Sequence, residues 1–249
     1  MRRFDELVGA VTLLTRVPVA RLLGDRAWPD AVASVWAYPV VGVLVGGAGA
    51  VALWLAGRLA MPPGIGAILA IAATILLTGG LHEDGLADTA DGLGGGGTVA
   101  RKLEIMRDSR IGSYGTLALI VALAVRGTAL ASLPPATGVA ALVAAGGLGR
   151  GAIVLTLLLL PPVRTDGLTA SLRRLKSGVA ITGLGLAAVT PVLLPAPVAL
   201  GGIAGATAAA FAVAALARWQ IGGATGDVLG AAEVVAECAV LCAVASIAS

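Results

Sequence analysis

Four long stretches of this chain carry no Asp, Glu, Lys, Arg or His: residues 31–57, 59–81, 127–149 and 177–217. About 20 apolar residues are enough to cross the hydrocarbon core of a bilayer, so each stretch is long enough to span one. Turn residues divide the pattern further. Met61-Pro62-Pro63-Gly64 separates a first helix over 31–57 from a second ending near 81, and a third from 114 to 133 closes at Pro134-Pro135. A fourth runs from 137 to 160 and stops at Pro161-Pro162. The stretch 177–217 is too long for one span. The prolines between Pro191 and Pro197 divide it into a fifth and a sixth helix, because proline lacks the backbone donor and clashes with the preceding turn. A seventh begins near Val228. Ahead of all of these, Phe4, Leu7, Val8 and Val11 fall at i, i+3, i+4 and i+7, the spacing of an amphipathic helix lying on the membrane surface and ending near Pro18. The expected fold is therefore all-α: a polytopic bundle of about seven transmembrane helices with an N-terminal interfacial helix, forming one domain over 1–249.

Composition supports a membrane protein, with 58% hydrophobic and 12% charged residues, against about 25% charged in soluble domains. Asp5 and Glu6 follow the basic pair Arg2-Arg3 and no small-residue cleavage pattern is present, so the N-terminus is expected to be retained rather than removed as a signal peptide. The net charge of +3 is small and no basic block points to nucleic acid. With the N-terminus inside, fourteen of the seventeen basic residues, Arg26, Arg164, Arg173 and Arg174 among them, fall in cytoplasmic segments, and only Arg58 falls outside. That is the sorting cytoplasmic loops should show, and it assigns 1–30 and 82–113 to the cytoplasmic side. Arg126 and Arg150 lie within spans. Arg150 sits roughly 15 Å from the cytoplasmic end of helix four at 1.5 Å per residue. A charge at that depth should face the bundle interior and pair with Glu237 or Glu233 of helix seven, or else reach a water-filled substrate cleft. Cys238 and Cys242, four apart on one helix face, are expected only to pack.

The densest acidic cluster is His82-Glu83-Asp84-Gly85-Leu86-Ala87-Asp88-Thr89-Ala90-Asp91-Gly92. Asp84, Asp88 and Asp91 fall at i, i+4 and i+7, so a helix continuing helix two would align the three carboxylates in one stripe. Such a stripe is either a solvated acidic surface or a site for a hard cation, and magnesium typically takes a few carboxylates while leaving positions for substrate phosphates. Gly94 to Gly97 form a hinge that lets Arg101 to Gly115 fold back. In that segment a helix would set Glu104 and Asp108 beside Arg107 and Arg110. Metal ligands beside arginines suit a diphosphate, although intrahelical ion pairs would give the same pattern. Asp227 is placed as a helix cap or a further ligand, and His82, the single histidine, as a proton carrier, a partner for a carboxylate or a structural group.

The segments His82–Gly92, Glu104-Ile105-Met106-Arg107-Asp108-Ser109-Arg110-Ile111-Gly112 and Thr225-Gly226-Asp227-Val228-Leu229-Gly230-Ala231, in this order, resemble the hallmarks of the cobalamin synthase family. That family is also called adenosylcobinamide-GDP ribazoletransferase. Leu14-Thr15-Arg16-Val17-Pro18 and Tyr38-Pro39 to Gly42 extend the resemblance over nearly the whole chain. Glu83 stands where the family pattern has an apolar residue, and Glu233 stands one position before the expected helix-seven acid. The resemblance implies a multi-pass enzyme of the bacterial inner membrane, facing the cytoplasm and dependent on Mg2+. Its substrates would be adenosylcobinamide-GDP and α-ribazole or α-ribazole 5′-phosphate, and a homo-oligomer is left open. It implies metal ligation by Asp84, Asp88, Asp91 and Asp108, phosphate contacts from Arg107 and Arg110, and further substrate contacts from Arg16, Arg150, Thr225 and Asp227. His82 or a non-ligating carboxylate would act as base. Asp88-Thr89-Ala90-Asp91-Gly92 also begins like the CDP-alcohol phosphotransferase motif, but Gly95-Gly96 replace the Ala-Arg that should follow. A cation or proton transporter would instead place its acids near the bilayer midplane.

Overall fold

The computed structural model describes residues 2–24, 28–163, 171 and 175–248. Arg26, Arg164, Arg173 and Arg174, which carry part of the charge sorting, lie outside the described residues. The chain is a helical bundle, with no strand among the described residues. Helix α1 (Arg2–Leu14) is the amphipathic segment, with Val8, Ala10 and Leu14 buried and Phe4 exposed. A short α2 (Ala31–Ser34), capped by the Asp30 carboxylate on Val32 N, leads through a 3-10 turn into α3 (Tyr38–Arg58). After Pro62 comes α4 (Pro63–Thr78). Among the described residues, five helical stretches are long and apolar enough to cross a membrane: Ala31–Arg58, α7 (Ser113–Ala131), α8 (Pro135–Leu159), α10 (Ala196–Ile221) and α11 (Gly226–Ile247). The expected fifth span is only a short helix, α9 (Ser177–Val189), extended by a 3-10 turn to Leu193. Leu44, Val51, Leu69, Leu117, Ile120 and Phe211 are exposed, which is the apolar exterior that a bilayer solvates.

The second span departs from expectation. Instead of continuing to Asp91 it ends at Thr78, and α5 (Leu81–Gly95) leaves it at 90°. Gly79 and Gly80 both have left-handed backbone, with φ of 71° and 73°. Two successive residues in that region cost L side chains dearly, and only glycine adopts it without a Cβ penalty. The turn also needs room, because the Arg16 side chain runs over Gly79 where a Cβ would stand. Together α4 and α5 make at most one broken span, which brings the number of crossings by length and composition among the described residues to six at most.

Residues 82–113 are largely helical, with a non-helical stretch at 106–112. Helix α5 packs into the bundle against α11 and α7. After the glycine hinge, α6 (Val99–Ile105), capped by Thr98, folds back on α5 and seats Met106 against Gly92. Close crossing of α5 and α11 rests on Gly85 and Gly230, whose Cα atoms face each other so tightly that a Cβ on Gly85 would stand 2.8 Å from Asp227 O. Backbone contact at this distance requires small residues, as in membrane helix pairs generally. It sets His82 and Asp84 beside the N-terminus of α11.

Candidate active site

The expected stripe of three carboxylates divides along its length. Asp84 is exposed and Asp88 half-buried, and both line a cavity of about 630 Å3 with Arg16, Thr78, Arg107 and Asp108. Asp91 shares their helix face but lies two turns from Asp84, roughly 10 Å along the axis, where the start of α7 is packed. Its carboxylate is buried, accepting from Gly112 N at 2.7 Å and Gly115 N at 2.9 Å. A carboxylate at a helix N-terminus satisfies orphan donors and complements the dipole, so Asp91 pins α7 to α5. Any Cβ on Gly112 or Gly115 would collide with it. Among the described residues, no three of His, Cys, Asp and Glu are gathered closely enough to hold one ion. The expected four-aspartate ligand set is therefore not assembled.

Beyond Ile105 the chain is not helical, so the expected acidic and basic edges of one helix do not form. Asp108 holds Arg110 through two-nitrogen contacts of 2.6 to 3.2 Å. Hydrogen bonds from the Arg110 side chain and backbone lower the Asp108 pKa to about 2. Arg110 itself is exposed and does not line the cavity, whereas Arg107 and Arg16 do. Glu104 pairs with Arg101 at 2.7 Å on the surface.

At the start of α11, Thr225 is fully buried and caps the helix, accepting from Val228 N at 3.3 Å and donating to Asp227 Oδ2 at 3.1 Å. Its hydroxyl is engaged in these fold contacts, and Thr225 lines neither the cavity of Asp84 and Asp88 nor the one beside it. Asp227, freed of the capping role, lines a second cavity of about 190 Å3 with Tyr38, His82, Asp84, Ile153 and Leu229. The two cavities meet at Leu81 and Asp84.

Behind His82 lies a network of charges inside the bundle. Arg150, 2% exposed, donates to Glu237 Oε1 at 2.7 Å and forms an ion pair with Glu233 Oε1. Both partners expected for it are present, and it does not line the open cavities; the pairing, not the substrate contact, is what the structure has. Arg126 joins the same network, at 3.0 Å from Glu237 and 3.0 Å from Glu83. Glu83 is the counter-ion of a buried arginine in α7. Arg126 was readable as a charge inside an apolar run, but its partner on α5 depends on the bend at Gly79-Gly80. Arg150 Nη2 lies 3.3 Å from His82 Nδ1. A guanidinium has only donors, so Nδ1 accepts and the ring proton resides on Nε2. Cys238 and Cys242 are free thiols, the first half-buried and the second exposed.

A helical membrane bundle enclosing a cavity with carboxylates on one wall and arginines on another has the form of a membrane-embedded phosphoryl-transfer site. The comparisons narrow this class to one family. The cobalamin-5-phosphate synthase family matches residues 6–245. The chain is 44% identical over 240 residues to the adenosylcobinamide-GDP ribazoletransferase of Mesorhizobium japonicum, covering 95% of this chain and 91% of that one. It is 46% identical over 236 residues to the protein of the same name from Bradyrhizobium diazoefficiens, covering 93% and 90%. No solved structure matches the chain. The chain belongs to the cobalamin-5-phosphate synthase family and is an enzyme, a transferase of cobalamin biosynthesis.

Proposed function

We propose that this protein joins adenosylcobinamide-GDP to α-ribazole, or to its 5′-phosphate, giving adenosylcobalamin or its phosphate and GMP, at the cytoplasmic face of a bacterial inner membrane. The observation that carries the reading is the polar cavity, in which Asp84 and Asp88 on α5 face Arg16 and Arg107. A diphosphate needs cationic donors on its oxygens, and Arg16 and Arg107 supply them. A ribose hydroxyl oxygen forms a bond to the cobinamide-linked phosphorus, the bridging P–O bond breaks, and GMP leaves with the bridging oxygen. The hydroxyl proton passes to a carboxylate. Asp227 fits this role better than His82, because His82 Nδ1 already accepts from Arg150, while Asp227 is oriented by Thr225 on the wall of the adjoining cavity.

Magnesium fits this cavity only in its usual mode, with one or two carboxylates completed by substrate phosphates and water. Asp84 and Asp88, one turn apart and lining the same space, are the pair that would hold it. When bound, the ion would neutralise charge on the phosphate oxygens. The test is GMP release from adenosylcobinamide-GDP and α-ribazole by purified protein. Asp88→Ala should lower turnover by about 100-fold or more, the usual cost of losing one electrostatic group at such a centre. Near-normal turnover of Asp88→Ala at limiting magnesium would overturn the assignment.

A further inference from the structure

We propose that the smaller cavity, between α1, α3, α5, α8 and α11, is the seat of the heteroaromatic base of the acceptor: a flat, N-glycosylated azole with one free ring-nitrogen lone pair. This rests on the function proposed above and adds where the acceptor sits and which groups recognise it. Apolar side chains form most of the walls, among them Leu14, Ile153 and Leu229, and Gly85 and Gly230 leave one side flat. The size suits such a ring. A cavity of about 150 Å3 takes a benzene ring, and this one measures about 190 Å3.

Two buried polar groups distinguish the cavity from a slot for a lipid tail. Tyr38 is 2% exposed and His82 3% exposed, both line the cavity, and neither Tyr38 Oη nor His82 Nε2 has a hydrogen-bond partner among the described residues. Arg150 fixes the His82 tautomer with the proton on Nε2, so two side chains of the lining each carry an unpartnered buried donor, N–H on His82 and O–H on Tyr38. An unpaired buried donor is unfavourable. An alkyl chain would leave both unpaired, whereas the free nitrogen of an N-substituted benzimidazole accepts from one of them. The other end of the cavity meets the phosphate cavity at Asp84. A base seated between Tyr38 and His82 therefore directs its ribose toward Asp84 and Asp227, where the hydroxyl must lie for transfer.

The test uses wild-type protein in detergent and two probes of nearly the same shape, 1-methylbenzimidazole and 1-methylindole, which differ in the ring nitrogen that accepts. Titration calorimetry should give at least about tenfold tighter binding of 1-methylbenzimidazole, the worth of one good hydrogen bond. α-Ribazole should displace it, and Ile153→Phe, which fills the cavity, should abolish its binding. Equal binding of the two probes would overturn the donor reading and leave an apolar slot for lipid or detergent. Binding of neither probe, or binding unaffected by Ile153→Phe, would overturn the cavity as the base site. GMP release separates this inference from the proposed function: release without azole binding refutes only the base site, and azole binding without release refutes only the transfer reaction.

Discussion

Replacing Arg150 by Met tests the buried network most directly. With all groups ionised, Glu83, Glu233 and Glu237 against Arg126 and Arg150 leave one negative charge, and the substitution leaves two. The two acids that lose Arg150 are not equivalent. Glu237 keeps Arg126 at 3.0 Å, whereas among the described residues Glu233 has no second arginine and faces His82 Nδ1 at 3.8 Å and the Glu237 carboxyl. The orphaned charge is therefore on Glu233. Breaking a buried pair costs about 3 to 5 kcal/mol. The loss expected of Arg150→Met is of that size, and chemical unfolding in detergent micelles measures it. The decisive comparison is between double mutants: Arg150→Met with Glu233→Gln restores the network charge and should recover most of the loss, while Arg150→Met with Glu237→Gln should recover little. Equal recovery by the two, or losses that simply add, would refute the geometry given for Glu233.

Asp91→Ala should destabilise the protein by about 3 to 6 kcal/mol, from two hydrogen bonds to a buried charged group, and reduce turnover by displacing α7; a loss of magnesium affinity with unchanged stability would instead make Asp91 a ligand. Gly85→Ala should cost about 1 to 3 kcal/mol by overpacking against α11 and should lower kcat, because Asp84 and Asp227 move apart; a stable, fully active variant would show that the crossing is looser than described. In a protein whose Cys238 and Cys242 have been replaced, Ser177→Cys should react with an impermeant thiol reagent only from the cytoplasmic side, and labelling from the periplasm alone would invert the topology. Arg110→Ala should leave the pH profile of turnover between about 5 and 8 unchanged. Asp108 is depressed to about 2, so the pair's contribution is present above the usual carboxylate value near 3.9 and is lost only as pH falls toward 2. A shifted limb near neutrality would place Arg110 on the substrate.

Much of the architecture follows from the one-dimensional pattern. Uncharged runs of span length, proline breaks after Met61, Leu133 and Leu160, and a terminal 3.6-residue period are local properties, and helices satisfy their backbone within one segment. The same holds for the depth of Arg150, because rise per residue is constant, so its meeting with Glu237 could be read from the sequence. The direction of the chain at Gly79-Gly80 could not. Two glycines permit many backbone conformations, and only packing of α5 against α7 and α11 selects the 90° turn. From that turn follow the separation of Asp91 from Asp84 and Asp88, the pairing of Glu83 with Arg126, and the meeting of two cavities at Asp84. Helical periodicity tells which residues share a face, but not which neighbour each turn of that face meets. Asp84 opens on a cavity while Asp91, on the same stripe, holds a helix end, because α7 begins beside one and not the other.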